Sequence, residues 1–320
     1  MPPSPKVSVV LIFLNEDRFL AEAIDSVVAQ TFKEWELLLV DDGSTDRSSS
    51  IAQSYADRWP NQIRYLEHSG HGNRGMSASR NAGAWNAHGQ YLAFMDADDI
   101  WLPNKLMEQV AMLEANPEVG MVFGQAVYWY SWNGLDGSRP DYIPPSGFDS
   151  DTIIRPPEFI RMCLSGSIAV PCPSSIIIRR PVLEEVAGFE EQFRGIHSVY
   201  EDQAFYGKIA LVTPVIASND CWIYYRLHPD ASTAVSKRAG RLWVTRDFYL
   251  RWLTDYFQEK GVSDSELWKT LHRELWKIYQ PWWLPQVDPF PAWLRWGKKW
   301  VLRFQDRLLP RAVIDRIWAK

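Results

Sequence analysis

The feature that most constrains this chain is a short apolar run with carboxylates soon after it, which occurs three times. Val7–Leu14, Trp35–Val40 and Tyr91–Met95 are apolar almost throughout, as is typical of strands buried on both faces. Helical spacing of apolar residues separates these runs, so the first 125 residues predict an α/β sheet covered by helices. The carboxyl ends of parallel strands share one edge, where ligands bind, and the three polar ends therefore predict one cleft.

The second half of the chain carries weaker signals. Further strands are predicted at Val119–Phe123, at Ser175–Ile178, near Val215 and at Trp222–Arg226. The Gly-, Pro-, Ser- and Asp-rich stretch over residues 134–157 predicts a mobile surface segment over or beside the cleft. From Lys237 onward the pattern is helical.

Length and composition exclude several classes of protein. With 320 residues, 46% of them hydrophobic and 23% charged, the chain can form a large core. Its net charge of -5 removes the general electrostatic case for binding nucleic acid. The 3 cysteines form no CxxC or Cys/His array, which favours a reducing compartment over disulfides or zinc. Because no apolar run reaches the roughly 20 residues of a membrane span, we expect a cytoplasmic protein.

The acidic cluster Asp96-Ala97-Asp98-Asp99 has two interpretations. Crowded carboxylates can hold a hard divalent cation together with a substrate diphosphate. Alternatively, Asp98 or Asp99 caps the helix that Pro103 begins. The motif alone favours neither.

Two further segments could bind a nucleotide. Asp41-Asp42-Gly43-Ser44 can accept hydrogen bonds from a base or a ribose, although the same residues also describe a plain turn. Residues 70–81 are a Gly-rich entry to a helix, and they carry Arg74 and Arg80. Guanidinium groups and helix N-termini stabilise phosphate oxygens, but a flexible loop with solvated arginines is an equal alternative.

Two later motifs could take part in chemistry. Glu201-Asp202 begins a helix, where a carboxylate either stabilises the helix dipole or acts as a general base. Tyr225-Arg226-Leu227-His228 ends a strand with a cation and an imidazole, and a lone histidine is usually structural.

The joint order of these motifs resembles that of family-two glycosyltransferases of the GT-A fold, over roughly residues 6–235. The elements that carry the resemblance are Asn15-Glu16, Val40-Asp41-Asp42-Gly43-Ser44-Thr45-Asp46, Ser77-Ala78-Ser79-Arg80-Asn81-Ala82-Gly83, Asp96-Ala97-Asp98-Asp99, Gly188-Phe189, Glu201-Asp202 and Tyr225-Arg226-Leu227-His228. The resemblance implies an α/β, Rossmann-like mixed sheet flanked by helices. It implies a catalytic domain over residues 1–235, with a nucleotide-sugar half at about 6–125 and an acceptor half at about 126–235. A helical C-terminal extension at 236–320 would follow.

The resemblance also implies roles for individual residues. The base and ribose would be contacted by Phe13, Leu14, Glu16 and Asp42, and the diphosphate by Arg80 and secondarily by Arg74. Asp98 would bind a Mg²⁺ or Mn²⁺ ion, Asp96 would contact the ribose or the ion, and His228 would face the metal or the diphosphate. Asp202 would be the catalytic base. Leu14 stands where many relatives carry a tyrosine that stacks on the base, so no base is assigned.

The implied activity is an inverting, metal-dependent transfer of a single sugar from a nucleotide-diphosphate sugar. The acceptor would be the hydroxyl of a saccharide or lipid-linked saccharide in surface polysaccharide synthesis. One alternative is a sugar-phosphate nucleotidyltransferase, which would need a Gly-rich, Arg-containing loop where Asn15-Glu16-Asp17 stands. Another is a non-catalytic nucleotide-sugar-binding protein.

The last 30 residues differ in charge from the rest of the chain. Residues 291–320 hold eight basic side chains against Asp306 and Asp315. Trp293, Trp296 and Trp300 would lie on one face of a basic amphipathic helix, which favours either an anionic membrane surface or packing on protein. The resemblance favours peripheral attachment to the inner face of the cell membrane.

Overall fold

The computed structural model describes residues 4–134 and 139–279. Nine strands occur in this part: β1 (Val7–Phe13), β2 (Trp35–Asp41), β3 (Ile63–Glu67), β4 (Tyr91–Asp96), β5 (Ile100–Trp101), β6 (Met121–Trp129), β7 (Thr152–Ile154), β8 (Ile176–Arg179) and β9 (Val215–Arg226). The same part holds ten α-helices: α1 (Leu20–Val28), α2 (Ser48–Arg58), α3 (Met76–Asn86), α4 (Lys105–Ala115), α5 (Glu158–Ser165), α6 (Arg180–Glu185), α7 (Glu201–Val212), α8 (Ser232–Arg238), α9 (Leu242–Glu259) and α10 (Ser265–Tyr279).

The strands form one mixed sheet in the order β3-β2-β1-β4-β8-β6-β9-β5, with β7 also paired to β9. Strands β3, β2, β1 and β4 run parallel to one another. Strand β8 is antiparallel to both β4 and β6, and β6 runs parallel to β9. The predicted α/β class with a mixed, helix-covered sheet is therefore confirmed.

The parallel half folds as its apolar pattern predicts. Every residue of β1 and β2 is buried, because helices cover both faces of these strands. Helix α3 lies so close to the sheet that a Cβ on Gly83 would come within 2.3 Å of Val10 Cγ1. Glycine at this position therefore allows the approach that brings the start of α3 to the carboxyl ends of the strands.

The second half differs from the prediction in three respects. Strand β6 continues to Trp129 rather than ending near Phe123, and β9 is one strand of 12 residues rather than two. The polar Asn219 and Asp220 suggest that a strand ends there, and both residues are exposed. The pairing of β9 with β6 nevertheless continues on either side of them, with register shifts between Phe123 and Ala126. The polar segment from 134 to 157 contains β7, which the composition did not predict.

The helices after residue 235 begin with a packed element. Helix α9 buries Tyr249, Leu250, Leu253 and Phe257 and contacts α7. One compact unit ends at Leu271; the second begins at His272, and only its residues 272–279 are described. The predicted boundary near 235 stays a prediction, and the basic segment 291–320 lies outside the described residues. No helix in the described part is long and apolar enough to cross a membrane.

Candidate active site

The three strand ends lie along one edge of the sheet, as predicted, and the first group of candidate residues lies at that edge. Strand register places Phe13 beside Asp41, and Ile12 beside Asp96, so β1, β2 and β4 end together. The backbone N–H of Asp42 donates to the carbonyl of Phe13 at 2.9 Å, which joins the first two strand ends. The three polar strand ends from which the cleft was predicted are therefore neighbours in the structure.

Asp41 and Asp42 hold two different loops. The Asp41 carboxylate is fully buried and accepts N–H bonds from Gly43 and Ser44, as in the turn that the sequence suggests. Asp42 is also buried, and its carboxylate accepts the backbone N–H groups of Arg74 and Gly75 at 2.7 to 3.1 Å. Asp42 thus fixes the Gly-rich entry to α3, and the contact of Arg74 with it is through the backbone.

The segment after β1 combines buried and accessible groups. Phe13 is buried, whereas Leu14 is 37% exposed. Asn15 adopts a left-handed backbone, with φ of 57°, and its side chain accepts the N–H of Thr45, so the first two strand-end loops are tied together. Burial, together with the charges of Asp98, Asp46 and Asp96, raises the pKa of Glu16 to about 8. A cation bound nearby would lower this pKa and favour the ionised carboxylate.

Arg80 is buried between the carboxyl group of Asp96, at the end of β4, and that of Glu201, at the start of α7. Its Nη2 lies 2.5 Å from Asp96 Oδ1, and its Nη1 donates to Glu201 Oε1. Burial opposes the charge, but Asp96 and Glu201 raise the pKa of Arg80 further above its usual range, so the side chain stays cationic. Burial raises the pKa of Glu201 to about 8, and the charge of Arg80 opposes this shift. The Glu201-Asp202 motif predicts a possible general base, but it does not predict the pairing of Glu201 with Arg80.

Asp98 and Asp99 contact the end of β9 rather than the helix that follows them. His228 Nε2 lies 3.0 Å from Asp98 Oδ2. Asp99 is fully buried and accepts the N–H of Arg226 at 3.2 Å. Helix α4 begins after Asn104 with no side-chain cap, so the capping interpretation of the acidic cluster is wrong for this structure.

The Asp98–His228 pair fits a divalent cation only with help from substrate. No group of three or more His, Cys, Asp or Glu side chains in residues 4–134 and 139–279 is arranged to hold a metal. Mg²⁺, however, is commonly held by one or two carboxylates plus substrate phosphates and water. Asp98 supplies one such carboxylate, and His228 Nε2 beside it would supply a second side-chain ligand.

Asp202 lies at the start of α7, next to the Arg80 network. Burial raises the pKa of Asp202 to about 6, while the N–H of Gln203 and the charge of Arg80 favour its ionised form. The preceding Tyr200 has a φ of 82°, which is rare for a large side chain. Its ring stacks on Tyr249 of α9, with centroids 5.2 Å apart and planes within 6°. Helix α9 therefore helps to set the direction in which α7 begins.

A cavity of about 230 Å³ opens beside Asp202. Its walls come from residues within 123–128 of β6, the loops at 144–148 and 169–175, Asp202 and Gln203 of α7, Tyr225 of β9 and Thr233 of α8. Residues within 144–148 of the polar surface segment line this cavity, whereas no residue at the ends of β1, β2 and β4 does. Apart from Asp202, none of the lining residues was assigned a role from the sequence, because they come from separate stretches with no shared local pattern.

The contacts join most of the predicted site residues into one region. They run from Asp42 through the start of α3 to Arg80, and from Arg80 to Asp96 and Glu201. The roles in binding and catalysis stay predictions for every candidate residue.

Comparison with known proteins identifies the class of this arrangement. The sequence pattern described as glycosyl transferase family 2 matches residues 8–187, more than half of the chain. The chain therefore belongs to glycosyl transferase family 2, and it is a glycosyltransferase. The predicted family is confirmed.

Individual relatives agree with this assignment. An uncharacterized glycosyltransferase of Nostoc sp. is 27% identical over 284 residues, which cover 86% of this chain and 83% of the relative. Matches to several other bacterial glycosyltransferases cover 41% to 49% of the length of each relative.

Two solved structures share the fold. Staphylococcus aureus TarS, residues 1–349 in complex with UDP, has a TM-score of 0.60 at 18% identity, covering 85% of this chain and 70% of TarS. The mannosyltransferase PcManGT from Pyrobaculum calidifontis, in complex with GDP-Man and Mn²⁺, has a TM-score of 0.57 at 19% identity, covering 99% of this chain and 80% of that one. These likenesses confirm the predicted GT-A fold.

Proposed function

We propose that this protein transfers a sugar, with inversion, from a nucleotide-diphosphate sugar to a hydroxyl of a saccharide or lipid-linked saccharide, in surface polysaccharide synthesis. The observation that carries the proposal is the link from Asp96 through Arg80 to Glu201, directly beside Asp202. The link connects two groups of carboxylates. The cluster around Asp96 is suited to binding a diphosphate together with its cation, and Asp202 is suited to act as the base. The complexes of TarS with UDP and of PcManGT with GDP-Man support a nucleotide-sugar donor.

The donor would lie along the edge formed by β1, β2 and β4. We propose that Phe13, Leu14, Glu16 and Asp42 form the part that receives the base and ribose, with Arg74 near the diphosphate. Arg80 is 1% exposed and paired at both ends, so we assign it a positioning role toward Asp96 rather than direct contact with phosphate. This refines the role that the resemblance implies.

A divalent cation would be held by Asp98, with His228 and Asp96 beside it. The Mn²⁺ in the PcManGT complex supports metal use in this fold. An ion bound there supplies positive charge that stabilises a leaving diphosphate. The Asp98 and His228 side chains already meet, so they need no large rearrangement to share a ligand.

The acid–base step depends on Asp202. A base must be within reach of the hydroxyl proton and must be ionised at the working pH. Because the pKa of Asp202 is about 6, the carboxylate is ionised at neutral pH and still accepts a proton readily. Glu201 accepts a hydrogen bond from Arg80, so its carboxyl group is already occupied and does not compete as a second base. A single carboxylate on the acceptor side is sufficient for inversion.

A binding screen on the purified full chain tests the proposal. We expect UDP or GDP to raise the melting temperature in the presence of Mn²⁺ and much less with a chelator, because a ligand of the folded state stabilises it. Asp202→Asn is expected to keep this shift and to lose about 10²–10⁴-fold in turnover. If no nucleotide diphosphate raises the melting temperature, the proposal is wrong.

The same variant separates the two alternative functions. A non-catalytic binding protein would show no turnover in either form. A nucleotidyltransferase would release pyrophosphate from a nucleoside triphosphate and a sugar phosphate, which we do not expect because Asn15-Glu16-Asp17 replaces a Gly-rich loop after β1.

We also propose a cytoplasmic location, with attachment to an anionic membrane surface through residues 291–320. The eight basic residues and the tryptophans of that segment support the proposal. Cosedimentation with anionic liposomes tests it: the full chain should pellet, and a chain ending at Pro291 should stay in the supernatant. Equal pelleting of the two would contradict it.

A further inference from the structure

The cavity beside Asp202 is lined by uncharged residues apart from Asp202 itself. Among its described lining residues, Asp202 is the only one that carries a formal charge at neutral pH. Burial raises the pKa of Tyr128 to about 12, and it raises the pKa values of Tyr225 and Cys172 well above their usual range, so all three stay neutral. Arg139 lies 5.8 Å from the centroid of the Tyr130 ring and does not line the cavity.

Aromatic rings and hydrogen-bonding groups share the walls. Phe123, Tyr128, Phe148 and Tyr225 supply rings, and the Tyr128 and Tyr225 rings lie 5.4 Å apart. Gln125, Gln203, Ser146, Ser175 and Thr233 supply amides and hydroxyls. A pocket of this composition suits a ligand with an apolar face and several hydroxyls, which describes a neutral sugar ring.

The walls are held in place by backbone packing. The register of β6 against β9 shifts twice between Phe123 and Ala126, and such bulges redirect side chains next to active sites. Gly147 has a φ of 79°, and a Cβ there would meet the Ser167 carbonyl oxygen at 2.0 Å, so the two loops that line the cavity lie directly against each other. The cavity is therefore a built feature of the acceptor half.

Position and size indicate which substrate occupies the cavity. Asp202 lines it, whereas Asp96, Asp98, His228 and Arg74 do not. An occupant would therefore touch the base without touching the groups proposed for the diphosphate. The volume of about 230 Å³ lies below the range of about 300–1,000 Å³ that is usual for drug-sized ligands, and it suits one sugar ring.

We propose that this cavity binds a single uncharged sugar residue of the acceptor, between Tyr128 and Phe148, with its reacting hydroxyl toward Asp202. Uronic acids and phosphorylated sugars are excluded because the cavity offers a carboxylate and no cation to an anionic group. The inference rests on the proposed function, since it takes Asp202 to be the base.

Ligand-observed NMR on the full chain, saturated with Mg²⁺ and the nucleotide diphosphate found in the thermal screen, tests the proposal. The probes are methyl glycosides of glucose, galactose and mannose and the methyl uronides with the same ring configuration. We expect saturation transfer to at least one neutral glycoside and at least a tenfold weaker affinity for its uronide.

Two pairs of variants place the probe in this cavity. Tyr128→Leu should weaken the glycoside about tenfold while leaving nucleotide affinity unchanged; Tyr142→Leu is the matched control, because Tyr142 is exposed in the same aromatic cluster and lies outside the cavity. Thr233→Lys adds a cation to the wall and should bring uronide affinity to that of the neutral glycoside or above it. Ser232→Lys, also on α8 but not in the lining, should leave the preference unchanged.

The outcomes separate this inference from the proposed function. Binding of the uronide as tightly as the neutral glycoside overturns the inference, and so does the absence of any glycoside signal in protein that binds nucleotide. A loss of nucleotide-sugar affinity in Tyr128→Leu, with glycoside affinity kept, would assign the cavity to the donor and also overturn it. If no nucleotide binds at all, the proposed function fails instead.

Discussion

The two halves of the sheet contribute to the candidate site in different ways. In the first half of the sheet, β1, β2 and β4 run parallel, and the candidate groups follow each strand end within a few residues. In the second half, from β6 onward, the strands are mixed in direction, and the cavity is assembled from residues between 123 and 233. Candidate functional residues at strand ends can be recognised from the sequence, whereas those that line a cavity between loops can be recognised only once the fold is known.

Arg80 joins these halves, so its removal should have the largest effect. Arg80→Met leaves Asp96 and Glu201 buried without their shared cation, which we expect to cost about 3–5 kcal/mol of unfolding free energy. Chemical denaturation followed by tryptophan fluorescence measures it. Arg161→Met is the matched control, because the Arg161–Glu158 pair is about 40% exposed on both sides and should contribute at most about 1 kcal/mol. Equal losses in the two variants would show that Arg80 does not hold the halves together.

The Arg80 pairing also shows where sequence reasoning stops. Arg80 and Asp96 were both identified from motifs, and each motif has a local pattern. The contact of Arg80 with Glu201 spans 121 residues, and nothing in either segment announces it. This pairing could have been inferred only from the rule that a buried arginine needs a carboxylate partner.

The cavity walls were missed for a related physical reason. The register shifts of β6 interrupt the alternation of apolar and polar residues by which strands are recognised. The sequence therefore predicts that the strand ends at Phe123, and it does not predict that Tyr128 lies on the same strand. Phe148 and Thr233 come from loop and short-helix segments whose composition predicts only exposure. Strand ends, by contrast, are fixed by continuous apolar runs, and Asp42, Asp96 and Asp98 were located from them.

Adding one methyl group to each half should separate donor binding from acceptor binding. In Gly83→Ala the new Cβ would meet Val10 and Val40, and in Gly124→Ala it would meet the Trp222 ring at 2.4 Å. Each should lose about 1–3 kcal/mol of stability through overpacking. We expect Gly83→Ala to weaken nucleotide binding and Gly124→Ala to weaken glycoside binding, both measured by titration below the melting temperature.

Gln53→Ala is the control for both variants, since Gln53 is exposed on α2 and lies outside both the cavity and the Gly-rich segment 70–81. Its nucleotide and glycoside affinities should match those of the unmodified chain. If Gly83→Ala and Gly124→Ala each impaired both ligands equally, the two halves would not act as separate binding regions.

The pH dependence of turnover should come from the acceptor half. Asp202 works only when ionised, and burial raises its pKa to about 6 against the opposing effects of the Gln203 N–H and Arg80. Activity should therefore rise about tenfold per pH unit below 6 and level off above it. Rates at constant ionic strength from pH 4.5 to 8 measure this limb, with the Asp202→Asn background subtracted. A rise centred near pH 4 would mean that Asp202 is solvated when substrate is bound.

A second buried cation gives the smallest expected effect and the sharpest contrast with Arg80. Lys105 is fully buried, with its Nζ 2.7 Å from Gln109 Oε1 and 4.1 Å from the centroid of the Trp101 ring, and no carboxylate pairs with it in the described part of the chain. Burial lowers the pKa of Lys105 to about 7. Between pH 7 and the usual pKa of a lysine side chain, the unfolded chain binds more protons than the folded one, so the free energy of unfolding should rise with pH across this window.

Lys105→Met removes the cost of burying the charge and should stabilise the protein by about 1 kcal/mol at pH 6, with a smaller gain at pH 9. Melting temperatures of both proteins at the two pH values measure the difference, and a loss of stability at pH 6 would show that the Trp101 ring and Gln109 fully offset that cost.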